Sequence, residues 1–464
     1  MPTQATPSRS LSTFLVLWAG QVVSLFGSRL TGFALGVWVY QTTGSVTRFA
    51  LISFFTMVPS VVLLPVAGML TDRFPRKWVM ILSDTGAALS TAAVAYFLWQ
   101  DALELGLLYL LMALIAAFSA PQQLAFDATV PLLVPRRHLD RANALHQLGS
   151  GLAEIAAPMV AGILIVQMAL EGIVLVDITT FLFAATTLLF LTIPSPLRRN
   201  SKAESGPEAG NGKKAALERF LFGWRFIRKH PGLVGLLFYF FSLNFSRSAV
   251  LVLVTPLVLS FSTPVMLGRV LSLGALGMVV GGIVLVLWGG GRRRMRTIYA
   301  ATLVYSATVV LSGWRADLIT ISVAAFLMLS TGPFLNSTVQ SLWQSKVPLA
   351  WQGQVFAARR MVSWSAIPLG YLAAGPFSDF VFEPMMAEQG ALASVFGPLL
   401  GTGPGRGIGL FLVLLGLSGF LTWAIGFTYP SLRHLEDEMP DAIEEAEDAD
   451  DVPMPAPAEL AAEG

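Results

Sequence analysis

Five polar or charged side chains fall inside otherwise apolar windows of the sequence: Gln21, Arg29, Glu154, Asn244 and Arg247. An ionisable group at mid-bilayer is costly, so each such residue is a functional candidate. Glu154 shares one helical face with Gly151, Pro158 and Gly162, at spacings of three, four and four. A carboxyl group there is a candidate proton-binding site, because protonation removes the charge that the lipid disfavours. The bland alternative is a glutamate that only supports helix packing. Arg29 and Arg247 suit binding of an anionic substrate or service as counter-ions to Glu154 or Asp177. They are equally consistent with snorkelling to the outer interface. Gln21 and Asn244 supply neutral hydrogen-bonding groups at comparable depth.

No metal or cofactor chemistry is expected. The chain has no cysteine, and His138, His146, His230 and His434 show no ligand spacing. The segment "GTGPGRG" near Gly401 has the wrong glycine spacing for a dinucleotide site, and no phosphate-binding lysine motif is present. Neither catalytic residues nor a nucleic-acid interface is predicted, since the basic residues are scattered over short loops.

The elements that position these groups are membrane helices. Of 464 residues, 55% are hydrophobic and 12% charged, about half the charge of an ordinary soluble domain, which runs near 25%. Apolar windows long enough to span a bilayer are expected near 12–40, 47–70, 78–99, 104–126, 139–168 and 172–193, then 231–261, 266–289, 296–314, 317–339, 352–382 and 406–428. With both termini inside, internal segments hold 24 of the 30 lysines and arginines, while external segments hold Arg48, Arg269, Arg315 and Arg406. This predicts a multi-pass membrane protein with cytoplasmic termini and a basic inner surface facing anionic lipid; a bacterial cell membrane and a monomeric state are expected alongside, and neither is read from the charge pattern.

Four regions follow: an N-terminal six-helix half (1–193), a cytoplasmic linker with an amphipathic segment (194–230), a C-terminal six-helix half (231–430) and an acidic disordered tail (431–464). Twelve of the 28 acidic residues lie between Glu436 and Glu463. The halves repeat each other: "LFGSRLTGF" around Arg29 is echoed by "LNFSRSAVL" around Arg247, and "LVPRRHLDRANAL" by "KVPLAWQGQVFAA". Duplicated six-helix halves place a cavity between them near the midplane, which favours a carrier.

The loop "GMLTDRFPRKWVM" is similar to the G-x-L-x-D-R-x-x-R-[KR] loop of the major facilitator superfamily, through Gly68, Asp72, Arg73, Arg76 and Lys77. The segments "LWAGQVVSLFGS", "ATVPLLVP" and "APMVAGIL" resemble the drug:proton antiporter branch, which contains macrolide-efflux and enterobactin-exporter proteins. The resemblance implies the major facilitator fold, an all-α protein with twelve transmembrane helices in two pseudo-symmetric halves. It implies export of hydrophobic or amphipathic small molecules (drug, macrolide or siderophore-like) by proton antiport and alternating access. Gly68 would let two helices approach. Asp72, with Asp84 and Asp127 joining its network, would form a cytoplasmic gating latch; the alternative is a turn whose bases only fix topology. Gly151, Pro158 and Gly162 resemble the antiporter glycine motif, read either as a leak-blocking face or as bare helix packing. One departure stands out: where the family carries a helix-4 arginine linked to coupling, this chain has Met112. Alternatives to multidrug export are a dedicated exporter of one endogenous metabolite, an uptake carrier, and a non-transporting scaffold.

Overall fold

The computed structural model describes residues 11–135, 138–191, 213–291, 293–348, 351–439 and 441, and all regular structure among them is helical. Most of the linker (192–212) and the greater part of the acidic tail (442–464) lie outside the described residues. The N-terminal half comprises α1 (Leu11–Thr43), α2 (Val46–Val62), α3 (Leu64–Arg73), α4 (Arg76–Trp99), α5 (Leu105–Leu133) and α6 (Leu139–Phe190). After α7 (Lys213–Lys229) the second half comprises α8 (Pro231–Leu259), α9 (Pro264–Trp288), α10 (Arg294–Trp314), α11 (Leu318–Lys346), α12 (Gln352–Pro376), α13 (Glu383–Met386), α14 (Ala393–Leu400) and α15 (Arg406–Thr428).

Nine helices among the described residues are long and apolar enough to cross a membrane, ten when α2 and α3 count as one. Those two meet at an angle of 49°. Pro59 within α2 and the proline at the start of α3 account for the bend, since proline removes a helical donor and crowds the preceding turn. The 52 residues of α6 would reach about 78 Å if straight, more than twice the hydrocarbon core. The helix instead breaks at Ala169 (φ 55°, ψ −170°), where the Met168 side chain covers the space a Cβ on Gly172 would need. That divides α6 into the two spans expected there. Finally α12, which carries two arginines, runs through a π-helical turn at Phe377–Phe382 into α13. With α6 counted as two spans and α12 as one more, the described helices are consistent with twelve spans.

Each half packs within itself, and the two halves meet most tightly near the α1–α2 and α8–α9 turns. A Cβ on Gly162 would lie 2.6 Å from the Pro264 carbonyl oxygen, and one on Gly268 would collide with the Pro158 carbonyl. Gly375 of α12 lies equally close to Thr47 of α2. Here Asp379, in the π-helical turn, caps the first turn of α2. Its carboxylate accepts hydrogen bonds from Ser45 Oγ (2.6 Å), Val46 N (2.9 Å) and Thr47 N (2.9 Å). These are donors that a helix N-terminus otherwise leaves unsatisfied. Val37, Val46 and Ala50 join the apolar core of the second half, so this end of the bundle is closed.

The segment expected to be a disordered tail begins with order. Short helices at Pro430–Arg433 and Leu435–Glu438 dock against the second half. Glu436 accepts from Arg294 N (2.8 Å) and Met295 N (3.1 Å), capping α10. Buried Lys346 donates to the Glu436 carbonyl (2.9 Å) and pairs with Asp441 Oδ1 (3.1 Å). The loop before α10 lacks an acidic residue, and the tail supplies one.

Candidate substrate and proton cavities

Each half carries a partly open cavity with polar lining, built from its own helices. The N-half cavity, about 470 Å³, lies among α1, α4, α5 and α6. The C-half cavity, about 780 Å³, lies among α8, α10, α11 and α12. The four helices of the second set occupy the places in the repeat that α1, α4, α5 and the first span of α6 occupy in the first.

The N-half cavity is acidic. Gln122 Nε2 on α5 donates to Gln21 Oε1 on α1 (2.5 Å), and Gln21 Nε2 donates to Asp84 Oδ2 on α4 (3.3 Å). Asp177, 5% exposed, accepts from Ser28 Oγ on α1 (3.2 Å). The absence of a side chain at Gly27 is what lets α1 approach Asp177 and Thr180. Neither aspartate has a cationic partner among the described residues. Arg29, which also lines this cavity, pairs instead with Glu154 at 3.2 Å, and both side chains are about half exposed. Pro158 has no N–H to offer the Glu154 carbonyl one turn earlier, which leaves this stretch of α6 locally polar.

The C-half cavity is cationic and aromatic. Arg247 on α8 and Arg359 and Arg360 on α12 line it, and no aspartate or glutamate does. Arg359 Nη2 donates to Gln340 Oε1 (2.9 Å), and its guanidinium lies 5.4 Å from the Trp343 ring centre and 5.5 Å from that of Phe356. Arg360 lies 5.7 Å from the Trp364 ring centre. Asn244 Nδ2 donates to the Ser363 carbonyl on α12 (2.9 Å), fixing α8 against α12. Arg247 sits beside Tyr305, with its guanidinium in van der Waals reach of Gly332.

The structure therefore brings Gln21 and Arg29 into one cavity and Asn244 and Arg247 into the other. It moves Asp84 away from the gating loop with which the sequence grouped it. α4 begins at Arg76, so Asp84 lies eight residues, about 12 Å, along the helix, inside the N-half cavity. Asp127 is exposed on α5 near His146, whose ring stacks beside Phe126 at 5.0 Å. In the loop itself, Arg76 Nη1 donates to the Ala128 carbonyl (2.5 Å) and Lys77 Nζ to those of Leu189 (2.9 Å) and Leu191 (2.8 Å) at the end of α6. Arg73 is exposed, Asp72 lies in α3 with its side chain outside the described set, and Gly68 borders open space, so no close approach depends on it. Of the glycine motif, Pro158 and Gly162 lie at the contact between halves, while Gly151 has no neighbour within 4 Å of a would-be Cβ. Met112 is 6% exposed and packs with Leu30, Ala34 and Val94, outside both cavities.

Sequence reasoning missed Asp177, Arg359, Arg360 and Gln122 as cavity residues. Hydropathy alone puts Asp177 at a membrane face and the two arginines in a topology-fixing segment. In each case the helix register carries the side chain inward. For Arg359 and Arg360 the available signal was the repeat, because α12 matches the first span of α6, whose His146, Gln147 and Ser150 line the other cavity.

Comparison with known proteins agrees with this architecture. The family model for the Major Facilitator Superfamily matches residues 17–371. Macrolide efflux protein A of Streptococcus pyogenes is 25% identical over 373 residues, covering 79% of this chain and 89% of that protein. The multidrug efflux pump Tap of Mycobacterium tuberculosis is 26% identical over 372 residues, covering 79% and 87% respectively. A crystal structure of the nucleoside transporter NupG superposes with a TM-score of 0.65 at 13% identity, over 90% of this chain and 100% of that one, a likeness of fold alone. With a family match over most of its length and membrane-length helices throughout both halves, the chain belongs to the major facilitator superfamily of membrane transporters.

Proposed function

We propose that the protein is a secondary active exporter of hydrophobic or amphipathic small molecules, driven by proton exchange across the cell membrane, with both termini in the cytoplasm. The observation that carries this reading is the division of charge between two cavities at matched places in the repeat. One offers carboxyl groups that can take up and release protons; the other offers a drug-sized, aromatic-lined space. Relatives named as macrolide and multidrug efflux proteins support the direction of transport.

In this mechanism Asp84 and Asp177 are the proton sites, because neither is held ionised by a cation. Glu154 acts with them through its pair with Arg29: protonating Glu154 frees Arg29, which lines the same cavity. Met112 then needs no substitute arginine, since the coupling charge lies on α1, α4 and α6. The Asp379 cap on α2 and the Gly162, Gly268 and Gly375 contacts close the external end. The loop around Gly68, Asp72, Arg73, Arg76 and Lys77 serves as the cytoplasmic gate, closing when the cavities turn outward. Its cations, with Arg225, Arg228 and Lys229 of α7, face the anionic inner leaflet. The transporter functions as a monomer.

The test is a toxicity and accumulation panel in a bacterial host stripped of its own pumps, with and without a proton uncoupler. Uncoupler-sensitive protection against amphipathic compounds is the expected result. Protection that survives collapse of the proton gradient contradicts the coupling, and increased sensitivity points to uptake instead.

A further inference from the structure

The C-half cavity holds three guanidinium groups and, among the described residues, no carboxylate that could balance them. Arginine does not shed its proton in proteins. The cavity therefore keeps its positive charge at any physiological pH, in a low-dielectric setting where uncompensated charge is costly. Elsewhere Arg29 pairs with Glu154 and Lys346 with Asp441, and buried Arg406 has Glu383 as its acidic neighbour. The three arginines of the C-half cavity have no such acid among the residues lining it.

The donors are also unspent. Arg359 uses Nη2 on Gln340, but its Nη1 is buried without a hydrogen-bond partner. Arg247 and Arg360 make no ion pair among the described residues. Two of the three guanidinium planes are steered by aromatic rings, Arg359 by Trp343 and Phe356 and Arg360 by Trp364. Such contacts pre-organise the fork that binds an oxyanion bidentately. Beside Arg360 the Trp364 ring stays half exposed, while Trp343 and Tyr305 are buried rings in the cavity lining.

We infer that this cavity is a binding subsite for small molecules that join a planar aromatic group to an acidic one, a carboxylate or sulfonate. The acid is held by Arg247, Arg359 and Arg360, and the ring rests among Trp343, Trp364 and Tyr305. This rests on the export reading above and narrows its substrate class from amphipathic compounds in general to aromatic acids. Cationic amphiphiles are disfavoured here by like-charge repulsion, while the acidic N-half cavity remains free to carry protons.

Direct binding tests the inference without requiring transport. Full-length protein in lipid nanodiscs is dialysed to equilibrium against naphthalene-2-carboxylate, the isosteric naphthalene-2-carboxamide and 2-naphthylmethylammonium. The carboxylate is expected to bind at least about tenfold more tightly than the amide, with the cation weakest, as charge-assisted bidentate contacts require. Arg359→Gln is expected to abolish the preference and Arg359→Lys to restore part of it. Arg360→Gln, at the exposed rim, is expected to weaken it severalfold with no demand on folding. Absence of saturable carboxylate binding, equal binding of all three probes, or a preference untouched by both glutamine variants overturns the inference. A preserved preference in a protein that exports nothing counts against the export reading alone.

Discussion

The two cavities occupy matched places in a duplicated fold yet carry opposite charge. In the first half, α1, α4 and α6 contribute Arg29, Asp84 and Asp177, and the one arginine is engaged by Glu154. In the second, α8 and α12 contribute Arg247, Arg359 and Arg360 with no acid among the lining residues. Repetition supplied two equivalent frames, and divergence specialised them. In the proposed exchange of a proton for a cargo, one environment titrates and the other does not. Arginine is suited to the second role because its charge is fixed, and an unpaired carboxyl to the first because its charge is not.

The largest expected effect comes from making the acidic cavity unable to titrate. Asp84→Asn together with Asp177→Asn is predicted to lower pH-driven export about tenfold or more, as for groups that carry the transported proton. Binding of the naphthalene carboxylate should be spared. Flux in everted vesicles and equilibrium dialysis separate the two, and equal loss of both would merge the cavities into one functional site.

Next in size is the seal joining the halves. Asp379→Ala removes three hydrogen bonds from the first turn of α2, worth about 1–2 kcal/mol by analogy with N-cap loss. Near 1.4 kcal/mol that shifts the closed-to-open ratio at this end about tenfold. The chain has no cysteine, so a single introduced thiol at Thr43 reports the change as faster labelling. An unchanged rate would mean that the glycine contacts alone hold the end shut.

Glu154→Gln should act more weakly. Its pair with Arg29 is about half exposed, and exposed pairs are worth about 0–1 kcal/mol. A severalfold fall in export is predicted, with the pH dependence retained through Asp84 and Asp177. Loss as complete as in the double aspartate variant would instead make Glu154 the main proton site. The smallest effect belongs to the loop. Lys77→Met removes a cation from the carbonyls ending α6 and should cost about 0.3–1 kcal/mol of stability, read as a small drop in the thermal unfolding midpoint.

Much of this architecture was legible in the chain. Hydrophobic windows and the alternation of basic loops located the spans, and the echo of Arg29 in Arg247 exposed the repeat. What sequence could not supply was azimuth and depth. Asp84 and Asp177 each stand eight residues beyond a helix start or kink, near enough in sequence to read as surface residues. At 1.5 Å per residue that is about 12 Å, nearly half a hydrocarbon core. Arg359 and Arg360 failed differently: as a basic pair near a predicted boundary they satisfied the charge rule, which is blind to the face of α12 they occupy. Met112 shows the converse, since a position aligned with a functional arginine turned out to face the core. The docking of Glu436 onto α10 was hidden for a third reason, because an acidic low-complexity tail gives no pattern that distinguishes its first ordered turns from the rest.

The central claim is that the N-half carboxyl groups couple cargo movement to protons. It is tested most directly with purified protein in proteoliposomes, loaded with a pH-sensitive dye and given an outward gradient of naphthalene-2-carboxylate. The account predicts that cargo leaving down its gradient drives protons the opposite way and acidifies the lumen. That signal should vanish in Asp84→Asn, Asp177→Asn vesicles while carboxylate binding persists. Cargo efflux at the wild-type rate with no proton movement, or an undiminished signal in the double variant, would contradict it.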